Sequence, residues 1–89
     1  MSESCLISIR YLSDLREATS TREEEVRFPV GTRLRDLSLW LAQKYGLAVP
    51  GPAVLGTVNG RGWNQTSLAP ETELHDGDAI ALFPLLSGG

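Results

Sequence analysis

The stretch that decides the fold lies near the C-terminal end and runs Asp76-Gly77-Asp78-Ala79-Ile80-Ala81-Leu82-Phe83-Pro84. Its opening Asp-Gly-Asp predicts a turn in which glycine supplies a positive φ. Ile80 and Leu82 then share one face of a strand, and Phe83 lies on the other face with two alanines. A charge-free segment that is apolar on both faces predicts a central strand. Pro84 has no N–H for a ladder hydrogen bond, so we expect the sheet to end there.

The five residues after this strand are Leu85-Leu86-Ser87-Gly88-Gly89. We expect one structured domain over residues 1–84 and a flexible tail over residues 85–89. Two glycines add no packing area and have the largest backbone entropy cost of ordering. Their missing side chains would suit entry into a narrow site on another protein. The alternative is a frayed terminus without a role.

Composition restricts the class of protein. The 89 residues are 42% hydrophobic, which suits one small domain with a single modest core. The net charge is −3, the pI is near 5.0 and the basic residues are scattered, which argues against nucleic-acid binding. No apolar run approaches the length of a membrane span, and the N-terminus has no signal-peptide pattern. We therefore expect a cytoplasmic protein.

Two strands are expected before the main helix. The first, over residues 6–12, has apolar residues at every second position, and we expect part of both its faces to be covered. The second, over residues 26–30, alternates in the same way, and Pro29 indicates a sheet edge or a strand end. The two would pair as an antiparallel hairpin around a polar loop, with one helical turn near Leu15-Arg16-Glu17.

Residues 33–45 predict the one long helix. Apolar residues at helical spacing form a single stripe, made of Leu34, Leu37, Leu41 and either Lys44 or Tyr45. Thr32 is the expected N-cap, and Gly46 is the expected left-handed C-cap. Trp40 lies beside the stripe and is expected either in the core or at its rim.

The rest of the chain completes the sheet. Val54–Val58 predicts a short strand, Asn59-Gly60 a tight turn, and residues 61–63 a returning strand. From the irregular segment that follows, Leu68 and Leu74 are expected to point inward. The order strand, strand, helix, strand, short strand, strand predicts an α+β, ubiquitin-like β-grasp. Its mixed sheet would have four to five strands, one main helix on one face, and the last strand central and parallel to the first.

The reactive side chains form no catalytic constellation in the sequence. Cys5 has no nearby base and is predicted to be a small buried hydrophobe. Glu23-Glu24-Glu25 is predicted to be a solvated strand entrance, because consecutive strand side chains point to opposite faces and no second ligand cluster is available. His75 is predicted to be a surface or turn residue. We therefore expect no bound metal or cofactor.

Residues 76–89 resemble the C-terminal signature of the small subunit of molybdopterin synthase. That signature combines Asp-Gly-Asp, an apolar strand, an aromatic–proline pair and a short tail to Gly-Gly. Residues 10–17 resemble the first strand and following turn of that family, and Val58-Asn59-Gly60 matches the hairpin of its sulfur-carrier relatives. Leu85-Leu86 departs from the family, which more usually has a proline-containing pair there.

The resemblance implies a non-catalytic carrier subunit. The carboxylate of Gly89 would be adenylated with ATP by a ubiquitin-activating-type adenylyltransferase. A sulfur donor, a sulfurtransferase or a desulfurase, would then convert it to a thiocarboxylate. The tail would enter the large molybdopterin synthase subunit and pass sulfur to a pterin precursor in molybdenum cofactor biosynthesis. Gly88 would pass the constriction, and the partner-binding residues would be Phe83, Pro84, Leu85, Leu86 and Ser87.

Several alternatives stay open at this point. Phe83 could instead be ordinary strand packing, and Trp63 could join either the contact surface or the core. The chain could carry sulfur for thiamine thiazole or for another thiolated product. It could also be a ubiquitin-like modifier whose Gly89 is joined to lysines of target proteins, or a β-grasp interaction module with a chance Gly-Gly end. The Phe-Pro pair and the length favour the molybdopterin assignment.

Overall fold

The strands and helices follow the predicted order, and the predicted helical turn between the first two strands is a short helix. The computed structural model describes residues 3–49, 51, 53–63 and 70–84. Within those ranges the strands are β1 (Ser4–Tyr11), β2 (Glu23–Pro29), β3 (Val54–Val58), β4 (Arg61–Gly62) and β5 (Ala79–Pro84). The helices are α1 (Leu15–Thr19), which is the predicted helical turn, and α2 (Leu34–Tyr45).

The five strands form one mixed sheet in the order β2-β1-β5-β3-β4. β1 pairs antiparallel with β2 and parallel with β5, and β5 pairs antiparallel with β3. The central position of β5 and its parallel pairing with β1 are therefore confirmed. β2 is an edge strand, as its proline indicated. The predicted α+β, ubiquitin-like β-grasp is confirmed.

The core lies between α2 and one face of the sheet. Its fully buried side chains come from β1, α2, β5 and the segment before β5, and each contributes about 1.5–3 kcal/mol by leaving water. The largest are Tyr11, Ile7, Ile9, Leu34, Leu37, Leu41, Leu74, Ile80 and Leu82. The predicted helix stripe and the inward position of Leu74 are confirmed. Leu68 lies outside the described residues.

The opposite face of the sheet, which we call the outer face, has no helix over it in the described part of the chain. On β5, Ala79 is exposed and Phe83 is half-buried. On the β1 side, Leu6 is half-buried but Leu12 is 37% exposed, so the predicted cover on this face is found only near Leu6. A strand becomes central when both its edges are hydrogen-bonded, and that condition does not require a layer over both faces.

The prediction that Thr32 caps α2 is wrong. The N-cap is Arg33, whose backbone N–H donates to the Asp36 carboxylate at 2.9 Å. The next two N–H groups of the helix donate to the carbonyls of Thr72 and Pro70, at 2.9 and 3.0 Å. Because backbone from the distant segment satisfies these donors, no Thr32 side-chain cap is needed. The Gly46 C-cap is confirmed, with φ +72° and its N–H on the Ala42 carbonyl.

The two tryptophans occupy different environments. Trp40 is half-buried at the rim of the core, where it makes edge-to-face contacts with Phe28 and Tyr45 at centroid distances of 5.4 and 6.1 Å. Trp63 is 3% exposed and belongs to the core. A Cβ on Gly56 of β3 would lie 2.8 Å from the Trp63 ring, so only glycine leaves room for the indole there.

Candidate functional site

The site predicted from the sequence begins where β5 ends. Phe83 and Pro84 are still part of the sheet and pair with Leu55 and Val54 of β3. Pro84 is the last described residue of β5, so the predicted end of the sheet there stays a prediction. The predicted tail residues Leu85, Leu86, Ser87, Gly88 and Gly89 lie outside the described residues.

The Asp-Gly-Asp motif fixes the start of β5 to β1. The Asp76 carboxylate accepts the Leu6 N–H at 2.7 Å, and the Gly77 N–H donates to the Leu6 carbonyl at 2.9 Å. The Asp78 carboxylate accepts the His75 N–H at 2.7 Å. Gly77 has φ +90°, as the turn prediction required, and His75 is exposed at this turn. Both carboxylates therefore position backbone, which leaves β5 with a defined register.

An apolar patch lies on the outer face at the other end of β5. We call it the outer apolar patch, and its members are Leu12, Leu55, Ala81 and Phe83. Leu55 is paired with Phe83 across the β3–β5 ladder, and the Leu12 N–H donates to the Leu82 carbonyl at 3.0 Å. Leu55, Ala81 and Phe83 are half-buried, and Leu12 is exposed. Partly exposed apolar side chains grouped at one place are typical of a contact surface.

The outer face also has an open depression of about 1010 Å³, which is lined by polar and apolar groups and shares Ala81 with the outer apolar patch. Its floor has small side chains, including Ser8, Ala79 and Ala81, and Glu23 and Glu25 line it from β2. Enclosed sites for small molecules bury most of their ligand, whereas this depression is open along the sheet. The shape therefore suits the surface of another protein better than a small substrate.

Glu24 is a residue whose role the sequence prediction missed. Glu23 and Glu25 are exposed, as predicted, but Glu24 is half-buried beneath the C-terminal end of α2. Its Oε2 accepts hydrogen bonds from the Tyr11 and Tyr45 hydroxyls at 2.7 and 2.6 Å. The Lys44 ammonium lies 3.5 Å from its Oε1. The alternation of side chains along the strand could have predicted this position, because Glu24 shares its strand face with Val26 and Phe28.

These contacts alter the pKa values of the cluster. Burial by itself would raise the pKa of Glu24, but the hydrogen bonds from Tyr45 and Tyr11 and the positive charge of Lys44 together lower it below its ordinary value. Burial and the bond to Glu24 raise the pKa of Tyr11 far above its ordinary value. They also raise the pKa of Tyr45. The cluster is thus an ionised carboxylate held by two neutral phenols, which joins β1, β2 and α2.

The other reactive groups have structural surroundings. Cys5 is 4% exposed, with its Sγ 3.7 Å from the Leu74 carbonyl, so the predicted buried position is confirmed. Among residues 3–49, 51, 53–63 and 70–84, no three His, Cys, Asp or Glu side chains are grouped as metal ligands. In the same part of the chain, neither helix has the length and apolarity needed to cross a bilayer.

A mixed five-stranded sheet with one long helix across one face defines the ubiquitin-like β-grasp class. Within that class, the chain belongs to the ThiS family, whose profile matches residues 9–89. The resemblance inferred from the C-terminal motif is therefore confirmed at the family level.

Individual relatives agree with the family assignment. The chain is 30% identical over 86 residues to the molybdopterin synthase sulfur carrier subunit of Escherichia coli (strain K12), covering 94% of this chain and all of that protein. It also resembles the structure of a putative molybdopterin converting factor, subunit 1, from Pyrococcus furiosus. That match has a TM-score of 0.75 and 27% identity, and covers 93% of this chain and all of the other.

A third similar structure was solved as a complex. It is the protein–protein complex of subunits 1 and 2 of the molybdopterin-converting factor from Helicobacter pylori 26695. The match has a TM-score of 0.61 and 24% identity, and covers 94% of this chain and 99% of the other. At this identity the likeness shows the fold that the two chains share.

Proposed function

We propose that this chain is a sulfur carrier and the small subunit of a molybdopterin synthase, with the carboxylate of Gly89 as its reacting group. The observation that supports this most directly is the match to the E. coli sulfur carrier subunit, which extends over 94% of this chain. The arrangement of β5 is consistent with it. A strand fixed in the middle of the sheet leads into five residues that can extend about 17 Å from Pro84.

The proposed chemistry takes place on partner proteins. A carboxylate is a poor acyl donor, because oxide is a poor leaving group. An adenylyltransferase of the ubiquitin-activating type would let the Gly89 carboxylate attack the α-phosphate of ATP, forming an acyl-adenylate and releasing pyrophosphate. A thiol reductant would release sulfide from a persulfide on the sulfur donor and be oxidised to a disulfide. The sulfide would then displace AMP and leave a thiocarboxylate. That sulfur would be transferred to a pterin precursor in the large subunit. ATP is a substrate of the partner, and the carrier itself needs no bound cofactor.

The outer apolar patch is the proposed contact surface for the large subunit. It lies at the end of β5 from which the chain continues toward Gly89, so a partner that encloses the tail also meets this surface. Phe83 is its aromatic member, and aromatic side chains are frequent interface anchors. We propose that Pro84, Leu85, Leu86 and Ser87 extend the contact and that Gly88 passes the constriction. The H. pylori structure, a complex of subunits 1 and 2, supports such an assembly.

The carrier step is tested by intact mass spectrometry. The purified chain is incubated with the adenylyltransferase and the persulfide-loaded sulfur donor of its own host, together with ATP and a thiol reductant. We expect a mass gain equal to the exchange of one oxygen for sulfur, and no gain in the variant that lacks Gly89. An unchanged mass, with an active adenylyltransferase verified on its own pyrophosphate release, would contradict the proposal. Gly-Gly remnants on lysines of host proteins would instead indicate a modifier.

The acceptor pathway needs a separate readout. The thiocarboxylate form is supplied to the large molybdopterin synthase subunit with its pterin precursor, and to a thiazole-forming system in parallel. We expect the sulfur to be consumed only in the first reaction. Consumption only in the second would support the thiamine alternative and exclude the molybdopterin assignment.

The contact surface is tested by calorimetric titration with the large subunit. We expect Phe83→Ala to weaken binding by about 30-fold, which corresponds to the lower bound for an interface hot spot. The matched control is Leu39→Ala, which truncates an apolar side chain that is 58% exposed on α2. Thermal unfolding of both variants shows whether the fold is retained. Equal affinities for a folded Phe83→Ala and the parent chain would remove Phe83 from the interface.

A further inference from the structure

The Asn59-Gly60 turn combines a reactive dipeptide with an unusually well-held side chain. It joins β3 to β4 and has positive φ at both residues, +52° and +84°, as a two-residue hairpin turn requires. Both residues are exposed. An asparagine followed by glycine is chemically labile, because glycine has no side chain to hinder attack of its backbone nitrogen on the asparagine side-chain carbonyl.

The carboxamide of Asn59 is locked to the start of β5. Its Nδ2 donates to the Asp78 carboxylate at 2.9 Å, and its Oδ1 accepts the Ala79 N–H at 2.9 Å. The Asn59 backbone N–H also donates to the Ala79 carbonyl at 2.7 Å. Both polar atoms of the side chain therefore have partners at or just before the start of β5. In this position the side-chain carbon cannot turn toward the Gly60 nitrogen without breaking both side-chain hydrogen bonds.

We propose that Asn59 is a site of spontaneous hydrolytic deamidation that the folded state protects, and that the reaction permanently opens the link between the β3–β4 turn and β5. The Gly60 backbone nitrogen attacks the Asn59 side-chain carbonyl carbon and gives up its proton. The bond from that carbon to Nδ2 breaks, and the nitrogen leaves as ammonia. Water then opens the cyclic imide at either carbonyl, which yields aspartate or isoaspartate at position 59. Water is the only co-reactant, and nothing is oxidised or reduced.

Neither product can restore the hydrogen bond from position 59 to Asp78. A carboxylate has no N–H to donate to Asp78, and two like charges at this distance repel each other. Isoaspartate also adds a backbone atom to a two-residue turn whose length sets the register of β3 and β4. Both products therefore loosen the same point, where Asn59 and Gly60 line the depression on the outer face. This inference does not depend on the proposed function.

The test compares deamidation rates under three conditions by peptide mass mapping and isoaspartate detection. The full-length chain is incubated at mildly alkaline pH either folded, or unfolded in urea, or folded with the substitution Asp78→Ala. We expect the unfolded chain to react about tenfold faster than the folded chain, because reaction requires local opening. The folded Asp78→Ala variant should react at an intermediate rate.

Two results would overturn the inference. One is equal rates at Asn59 in the folded and unfolded chains, and the other is a folded Asp78→Ala variant as slow as the parent. If Asp78→Ala does not fold, a urea series on the parent chain replaces it, and the rate should rise with the unfolded fraction. A rate that stays flat through the unfolding transition would refute protection by the fold. Asn59→Asp, made directly, should unfold at lower urea than the parent, and an unchanged midpoint would refute the loosening.

Discussion

Replacing Glu24 with glutamine removes one negative charge while the shape of the side chain is nearly kept. In the parent chain one carboxylate oxygen accepts both tyrosine hydroxyls, at 2.7 and 2.6 Å, and the other faces Lys44. Glutamine offers one acceptor oxygen and one NH₂ group. If that oxygen stays on the tyrosines, its NH₂ group is directed toward the ammonium, so both contacts are weakened.

The expected loss follows from the burial of the two phenols. A hydrogen bond to a charged group contributes about 1.5–3 kcal/mol, against about 0.5–1.5 kcal/mol for a neutral one. Tyr11 is fully buried and should show this difference in full, whereas Tyr45 is half-buried and can exchange its bond with water. We expect Glu24→Gln to lower the free energy of unfolding by about 1–2 kcal/mol. In a domain of this size that corresponds to about 5–15 °C in Tm.

The pH dependence separates this cause from a general packing defect. The pKa of Glu24 is lowered in the folded state, so its contribution is present above its unfolded value of about 4.5 and is lost as pH falls through the folded value. The difference between parent and Glu24→Gln should therefore be largest near pH 7 and shrink below pH 4.5. Urea unfolding at several pH values measures it.

The matched control is Glu25→Gln, one residue along β2. Glu25 is exposed on the outer face, so its substitution should change the free energy of unfolding by less than about 0.5 kcal/mol at both pH 7 and pH 3. A parent–Glu24→Gln difference that is equally large at pH 7 and pH 3 would contradict a role for the ionised carboxylate. Equal stabilities of the parent chain and Glu24→Gln at pH 7 would contradict it as well.

Two further substitutions test the fold by urea unfolding. Gly56→Ala would place a Cβ 2.8 Å from the Trp63 ring and 2.9 Å from Leu82. We expect this overpacking to lower the free energy of unfolding by about 1–3 kcal/mol, whereas an unchanged midpoint would show that the indole can move aside. Asp36→Ala removes the acceptor of the Arg33 N–H, and we expect it to lower the free energy of unfolding by about 1 kcal/mol. The control Gln43→Ala, at an exposed position of the same helix, should have little effect. Equal effects of the two substitutions would exclude the cap.

The elements that the sequence predicted well are those set by local periodicity. Alternation in β1 and β2, helical spacing in α2, and glycines at Gly46 and Gly77 each follow from neighbours along the chain. The central place of β5 was also predictable, because an uncharged apolar strand is seldom an edge. The sequence was therefore sufficient to predict the position of β5 in the sheet.

The features that the sequence did not predict depend on distant partners. The N-cap of α2 is not the predicted Thr32, because the carbonyls of Pro70 and Thr72 accept the helix N–H groups that a Thr32 side chain would otherwise accept. The half-buried position of Glu24 was not predicted, because its hydroxyl partners come from β1 and from the end of α2. Only the folded structure brings these groups together. The outer apolar patch likewise joins residues from β3, β5 and the end of β1. No one-dimensional pattern relates those segments.

The place of β5 between β1 and β3 also makes the order of synthesis important. β1 is made early, but one of its edges stays unpaired until a segment 70 residues later has left the ribosome, as the Leu6–Asp76 bond shows. Closing so long a loop is slow compared with forming local contacts. The strand that completes the sheet is the same strand that leads into residues 85–89. Among the described strands, the central place in the sheet is therefore filled last, after the other four strands have been made.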